Sequence, residues 1–206
     1  IVYARNVCFD LAKKMNYTYF MQLDDDYSAF EYRVYKTSKC KPKKIRKNIN
    51  YLLELILKFY KKTNAKSIAI AQGGDFIGGN KNSNAKNPKL KRKCMNTFIC
   101  STERPFKFVG RINEEDITYT YKASKGDLFF TIPYASIVQK TTQSNKGGMT
   151  DIYIDNGTYV KSFYSVMFHP SSVKVGLMGD TRKRLHHKVN WNNTVPKILK
   201  EEYKKI

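Results

Sequence analysis

Three consecutive carboxylates, Asp24, Asp25 and Asp26, follow the apolar run that covers residues 17–23. The run predicts a β-strand, which would place the carboxylates at its carboxyl end. Neighbouring like charges repel one another, and a hard divalent cation that shares their oxygens would relieve the repulsion. Taken alone, the triplet fits a cation site and a solvated acidic turn equally well.

A second acidic cluster, Glu114, Glu115 and Asp116, opens a helix that is predicted over residues 114–125, with its end marked by Gly126. Acidic side chains are common in a first helical turn because they complement the helix dipole. A carboxylate at a rigid helix start is also well suited to act as a general base beside an acceptor hydroxyl. The residues alone leave both interpretations open.

All three histidines lie towards the C-terminus. His169 precedes Pro170, and the adjacent pair His186 and His187 stands in a basic run over residues 182–188. By itself this run predicts a basic C-terminal tail from about residue 180. Beside a metal that binds a diphosphate, the same side chains could ligate the metal or neutralise the leaving group.

The chain is strongly basic. Its 206 residues include 38 lysines and arginines against 17 acidic residues, a net charge of +21. This excess predicts a polyanionic partner, usually nucleic acid, although a lysine- and asparagine-rich genome would produce a similar bias. The cations concentrate in residues 36–47, interpreted as a basic approach to the next helix, and in residues 80–93, interpreted as a surface loop. The candidate contacts to a DNA backbone are Lys43, Lys44, Arg46, Lys91, Arg92 and Lys93.

Helix and strand patterns alternate along the chain, which predicts a single α/β sheet domain. The clearest helix carries an apolar face that consists of Ile49, Leu52, Leu53, Ile56 and Phe59. Further helices are predicted over residues 7–16 and 158–168, and further strands over residues 67–71, 128–132 and about 152–154.

Targeting signals and cysteine usage bear on the cellular compartment of the protein. No stretch approaches the roughly 20 apolar residues of a membrane span, and no signal-peptide pattern is present. The four cysteines match neither a disulfide framework nor a zinc pattern, so we expect reduced thiols in a cytoplasm. The chain has no initiator methionine, and we expect its natural beginning to lie upstream.

The order of these features resembles a known enzyme pattern. Arg5-Asn6, a helix, and a strand that runs into the Asp triplet resemble the middle of GT-A glycosyltransferases. The second half is similar to the phage TET/JBP-associated glycosyltransferase family, whose motifs read RYNED, KGGNTD-IY, HP and R-HH-VDY. The corresponding segments here are residues 111–116, 146–153, 169–170 and 184–191.

The resemblance implies both a fold and an activity. The fold would be an α/β, GT-A-like (Rossmann-like) mixed sheet flanked by helices, with the N-terminal nucleotide-binding βα portion absent from this chain. The activity would be a metal-assisted, inverting transfer of a sugar from a nucleotide sugar, expected to be UDP-linked, to the hydroxymethyl group of a modified pyrimidine in DNA. We expect no membrane partner, and the location would be the cytoplasm of an infected bacterial host if a phage encodes the protein.

The resemblance also implies roles for individual residues. Glu115 stands where the family has its motif Asp and is the first candidate base, with Asp116 and Glu114 as alternatives. The expected ligands of Mn²⁺ or Mg²⁺ are Asp24, Asp26, His186 and His187. The expected contacts to the donor are Arg5, Asn6, Asp25, Lys146, Gly147, Gly148 and Arg184.

Two other classes of protein share some of these features. A non-catalytic nucleic-acid-binding module accounts for the charge but leaves the two acidic clusters without a role. A metal-dependent nuclease accounts for carboxylates near DNA. It gives no role to the Lys-Gly-Gly and His-His motifs.

Overall fold

The computed structural model describes residues 1–36, 39–76, 79–82, 85–92, 94–95, 97–140, 150–179, 183–196 and 201. Within them the chain forms a six-stranded mixed sheet and a separate two-stranded hairpin. The large sheet consists of β1 (Tyr19–Leu23), β2 (Tyr27–Lys36), β3 (Lys39–Lys44), β4 (Ser67–Gln72), β5 (Thr97–Ser101) and β6 (Phe129–Gln139), and the hairpin of β7 (Val173–Met178) and β8 (Arg184–Val189).

The helices connect and cover these strands. They are α1 (Val2–Lys14), α2 (Ile49–Lys61), α3 (Glu114–Ala123), α4 (Thr150–Asn156), α5 (Tyr159–Phe168) and α6 (Trp191–Thr194). Short 3₁₀ turns cover Gly73–Phe76 and Gly79–Lys81, just after β4. Among the described residues, no helix is both long and apolar enough to cross a membrane.

The order of strands in the large sheet is β1-β5-β4-β6-β2-β3, and β4 and β6 are its parallel neighbours. Strands β1 and β2 follow each other in sequence but lie four positions apart in the sheet. Leu23 at the end of β1 pairs with Thr97, and Tyr27 at the start of β2 pairs with Gln139. The link 24–26 therefore crosses the end of the sheet at which β4 and β6 also finish.

One face of the sheet is covered by α2, whose apolar side chains recur with the helical period. Leu52, Ile56 and Tyr60 are buried there, against Ile68 and Ile70 of β4. Full burial of a side chain of this size stabilises a fold by about 1.5–3 kcal/mol. This helix is thus held mainly by its packing against the sheet.

The opposite face is covered by α1 and α3. Their side chains Phe9 and Tyr119 lie in one buried cluster with Phe98 of β5 and Phe129 of β6. Successive strand residues point to opposite faces, so Ala69 joins this cluster while its neighbours in β4 face α2. The result is three layers of helix, sheet and helix, as the alternating sequence pattern predicts.

Several predicted elements are confirmed within a few residues, namely α2, β4, α3 and α5. Helix α1 begins at Val2 rather than at residue 7. The apolar pattern did not indicate its first turn because the buried residue there, Arg5, is charged and is held by ion pairs. The strand predicted over 128–132 continues to Gln139. A break in pairing with β4, after Ile132, accommodates the extra residues.

Two expectations were wrong. Residues 152–154 belong to helix α4, because alternation over three residues is too short to distinguish a strand from a helix. Residues 184–189 form strand β8, not a basic tail, since the strand pairs with β7 along its whole length. Within the basic approach to α2, residues 39–44 form the edge strand β3, which the sequence did not predict as a strand, and its lysines and Pro42 are typical of protected sheet edges.

Candidate active site

The buried guanidinium of Arg5 joins the two acidic clusters. Its Nη2 lies 3.0 Å from Asp24 Oδ1 and 3.6 Å from Glu115 Oε1, and its Nε lies 3.1 Å from Glu114 Oε1. The residue is only 4% exposed. Three carboxylates from two distant parts of the chain therefore share one buried cation.

Aromatic rings flank the same guanidinium. Its Cζ lies 4.9 Å from the ring centre of Phe98 and 5.5 Å from that of Phe108. Both rings belong to the buried cluster beneath α1 and α3. Because Arg5 is packed as well as paired, its position is set by the core of the protein.

The charges in this cluster do not balance locally. Burial would lower the pKa of Arg5, but the nearby carboxylates outweigh burial and raise it. Burial raises the pKa of Asp24; Arg5 opposes this increase, whereas Asp26 and Glu114 add to it. The region therefore has an excess of negative charge, which favours the binding of a cation or of a group that donates hydrogen bonds.

The start of α3, which carries the second acidic cluster, is fixed from outside the helix. Asn113 precedes it in the left-handed conformation, with φ 55°, which asparagine adopts more readily than most residues. Its side-chain amide donates to Lys161 O at 2.8 Å and to Ser165 Oγ at 3.0 Å, both on α5. Helix α5 thereby holds the acidic turn in place.

The three acidic side chains of this turn have different surroundings. Glu114 and Asp116 side chains are 7% and 5% exposed, whereas that of Glu115 is 18% exposed. Asp116 Oδ2 is hydrogen-bonded to His187 Nε2 at 2.5 Å. Glu115 is therefore the most accessible carboxylate of the three.

The histidine pair lies on β8. His187 is buried and bonded to Asp116, and the ring of His186 stacks on it with 4.3 Å between centroids. Among the described residues there is no group of three or more His, Cys, Asp or Glu that could hold a metal. The assignment of His186 and His187 as metal ligands stays a prediction.

Asp26 has its own set of contacts, which the sequence did not indicate. Gln139 Nε2 donates to Asp26 Oδ2 at 3.2 Å, and Gln72 Nε2 donates to Gln139 Oε1 at 2.9 Å. Glutamines belong to no acid–base or metal motif, so no signal in the chain could have pointed to these two. Asp25, between the two predicted ligands, is exposed.

Two carboxylates near each other fit one kind of metal site. Asp24 and Asp26 are close enough to interact electrostatically. Mg²⁺ is commonly bound by one or two carboxylates together with substrate phosphates and waters. The residues present therefore fit a cation that is completed by a diphosphate rather than one held by protein ligands alone.

The other predicted donor contacts fall into three groups. Arg5 is ion-paired with the carboxylates. Asn6 forms two hydrogen bonds with the backbone of Phe108, donating to its O at 3.1 Å and accepting from its N at 2.8 Å. Arg184 is exposed on β8. Lys146, Gly147 and Gly148 lie outside the described residues.

The candidate DNA contacts on the sheet edge lie together. Lys43, Lys44 and Arg46 are exposed and line a cavity of about 600 Å³ with Tyr32, Ile45 and Lys47. In the second basic segment, Lys91 is exposed, but Arg92 is ion-paired with the buried Asp75. Lys93 lies outside the described residues.

A mixed sheet flanked by helices, with carboxylates gathered at its strand ends, defines an α/β protein of Rossmann-like build that is consistent with a glycosyltransferase. The chain belongs to the TET-associated glycosyltransferase family, whose sequence model matches residues 1–148. This confirms the family that the motifs suggested. The match covers α1 to β6, and the β7–β8 hairpin lies beyond it. Comparison with curated proteins and with solved structures found no match.

Proposed function

We propose that this glycosyltransferase moves a sugar from a UDP-linked donor to the hydroxymethyl group of a modified pyrimidine in DNA, with inversion and with the help of a divalent metal. The observation that carries the proposal is the Arg5 cluster. It brings Asp24, in the predicted diphosphate-binding triplet, and Glu115, the predicted base, to the same guanidinium. A donor and an acceptor bound at these two carboxylates would meet at one site.

Glu115 is the proposed general base. It is more exposed than Glu114 and Asp116. Its contact to Arg5 is longer than those of Asp24 and Glu114. Its carboxylate would accept the proton from the acceptor hydroxymethyl group as that oxygen attacks the anomeric carbon. One displacement of this kind breaks the bond to the diphosphate and inverts the anomeric centre.

The donor would lie against Asp24 and Asp26. Mg²⁺ or Mn²⁺, held by these two carboxylates and the diphosphate, would supply charge to stabilise the departing UDP. Arg5 holds Asp24 in place from the buried side, so that its other oxygen can face the donor. Arg5 thus links the two acidic clusters through its contacts to Asp24, Glu114 and Glu115.

DNA would be bound largely through its phosphates. Lys43, Lys44 and Arg46 form an exposed basic surface on and beside the edge strand β3. Such contacts position a nucleic acid without reading its sequence. The net charge of +21 supports the same kind of partner.

The proposal is tested by incubating the protein with hydroxymethylcytosine- or hydroxymethyluracil-containing DNA, Mn²⁺ and a panel of UDP-sugars. The DNA is then digested and the masses of its nucleosides are measured by mass spectrometry. A mass gain of one sugar on the modified nucleoside supports the transfer. Strand scission would instead support a nuclease, and DNA binding without either change would support a non-catalytic module.

A further inference from the structure

We infer that Gln139 is a positioning residue for Asp26, and that Gln72 sets the orientation of its amide. The inference rests on the proposed role of Asp26 in holding the donor's metal. It assigns a function to two neutral side chains that lie at the ends of β4 and β6.

The first step of the argument is the contact itself. The Nε2 of Gln139 lies 3.2 Å from Asp26 Oδ2 and 3.4 Å from Asp26 Oδ1, so one amide group faces both carboxylate oxygens. An amide is neutral and can orient a carboxylate without neutralising its charge. A lysine in its place would orient Asp26 but would also compete with a cation.

The second step is that the backbone brings the two residues together. Gln139 pairs with Tyr27 across β6 and β2, and the next residue, Lys140, donates its N–H to Asp26 O at 3.0 Å. Asp26 is therefore tied to the end of β6 through both its main chain and its side chain. These two contacts restrict the orientation of its side chain.

The third step concerns which end of the Gln139 amide faces Asp26. Gln72 Nε2 donates to Gln139 Oε1 at 2.9 Å, which directs Oε1 away from the carboxylate and Nε2 towards it. The opposite orientation would set the amide oxygen against the carboxylate. Gln72 thus determines whether the contact is attractive or repulsive.

Gln72 is itself anchored. Its backbone N–H donates to Asp75 Oδ2 at 3.0 Å, and Asp75 is 6% exposed and ion-paired with Arg92. The chain of contacts runs from this ion pair, in which Asp75 is the buried partner, through two glutamines to the carboxylate of Asp26. Outer hydrogen-bond partners of this kind commonly change metal affinity or activity by 10–100-fold when they are removed.

The test measures Mn²⁺ binding to the full chain in the presence of UDP, by electron paramagnetic resonance, for five proteins. These are the wild type, Asp26→Asn, Gln139→Met, Gln72→Met and the control Ser28→Ala. Ser28 Oγ donates to Val138 O at 3.2 Å in the same pair of strands, and its loss removes a hydrogen bond of the strand pair without touching the glutamines. Thermal unfolding of each protein shows whether it is folded.

We expect Gln139→Met to weaken Mn²⁺ binding about 10–100-fold. Gln72→Met should weaken it in the same direction but less, and Ser28→Ala should leave it unchanged. If Asp26→Asn weakens binding while folded Gln139→Met and Gln72→Met both match the wild type, the inference is overturned and the metal proposal stands. If the wild type itself binds no Mn²⁺ with UDP, the metal proposal fails, and the inference fails with it.

Discussion

Asp116 and His187 form a buried hydrogen bond between residues 71 positions apart, with Oδ2 and Nε2 separated by 2.5 Å. Asp116 lies in the first turn of α3, and His187 lies on β8, in the part of the chain beyond the family match. The bond therefore ties the β7–β8 hairpin to the turn that carries the proposed base. His187 is thus a hydrogen-bond partner of the candidate active site.

Replacement of His187 by alanine should destabilise the protein by about 1–3 kcal/mol, the usual cost of leaving a buried polar group without its hydrogen-bond partner. The measurement is the free energy of unfolding in urea. His186→Ala is the matched control because it is the neighbouring, less buried histidine, and we expect a smaller loss. A His187→Ala protein of wild-type stability that has lost Mn²⁺ binding would instead identify His187 as a metal ligand.

Replacement of Arg5 by methionine, which keeps the length of the side chain but not its charge, should lower the free energy of unfolding by about 3–5 kcal/mol. It would leave Asp24, Glu114 and Glu115 without their shared cation. The destabilisation should shrink in acid, where the carboxylates are protonated. Arg184→Met is the control, since Arg184 is exposed. Equal stability of the two variants from pH 4 to pH 8 would rule out the ion-pair account.

The helices and strands that depend on local pattern could be predicted from the sequence, and those that depend on partners could not. Helix α2 repeats Leu52 and Ile56 on one face, and that pattern alone indicates a helix. Strand β3 consists mainly of lysines with Pro42, and only its pairing with β2 makes it a strand. The short helix α4 has no period long enough to identify it.

The same distinction applies to the candidate site. The acidic clusters at residues 24–26 and 114–116 are visible as runs of one residue type. Their meeting depends on the contact of Arg5, on α1, with Glu114 in the first turn of α3, and a pair of residues 109 positions apart belongs to no sequence motif. Gln72 and Gln139 belong to no motif and become meaningful only beside Asp26.

DNA binding should weaken when Lys43, Lys44 and Arg46 are all changed to glutamine. Each phosphate contact that is lost should reduce the slope of log affinity against log salt concentration by about 1. The measurement is fluorescence anisotropy with labelled DNA at several salt concentrations. Arg92→Gln provides the contrast, because Arg92 is paired with Asp75 and its loss should act mainly on stability. An unchanged salt slope in the triple variant would exclude this surface as a DNA contact.

Stability should depend on pH through His169. Burial lowers its pKa below the ordinary value of 6.5, so the folded protein binds this proton less well than the unfolded chain. The contribution of His169 to stability is therefore present above pH 6.5 and is lost as the pH falls through the pKa of the folded state. The difference in unfolding free energy between the wild type and His169→Gln, measured at pH 8 and pH 5, should change in favour of the variant at pH 5. A difference that does not change with pH would contradict the shift.

The central claim, that Glu115 removes the acceptor proton, is tested most directly by the turnover number of Glu115→Gln. The assay is sugar transfer to hydroxymethylated DNA at saturating UDP-sugar, followed by nucleoside mass spectrometry. We predict a loss of about 10²–10⁴-fold in kcat. The exposed Glu54→Gln should retain full kcat, and folded Asp116→Asn should keep most of it. Full turnover by Glu115→Gln, together with loss of transfer in Asp116→Asn, would contradict the account and move the base to Asp116.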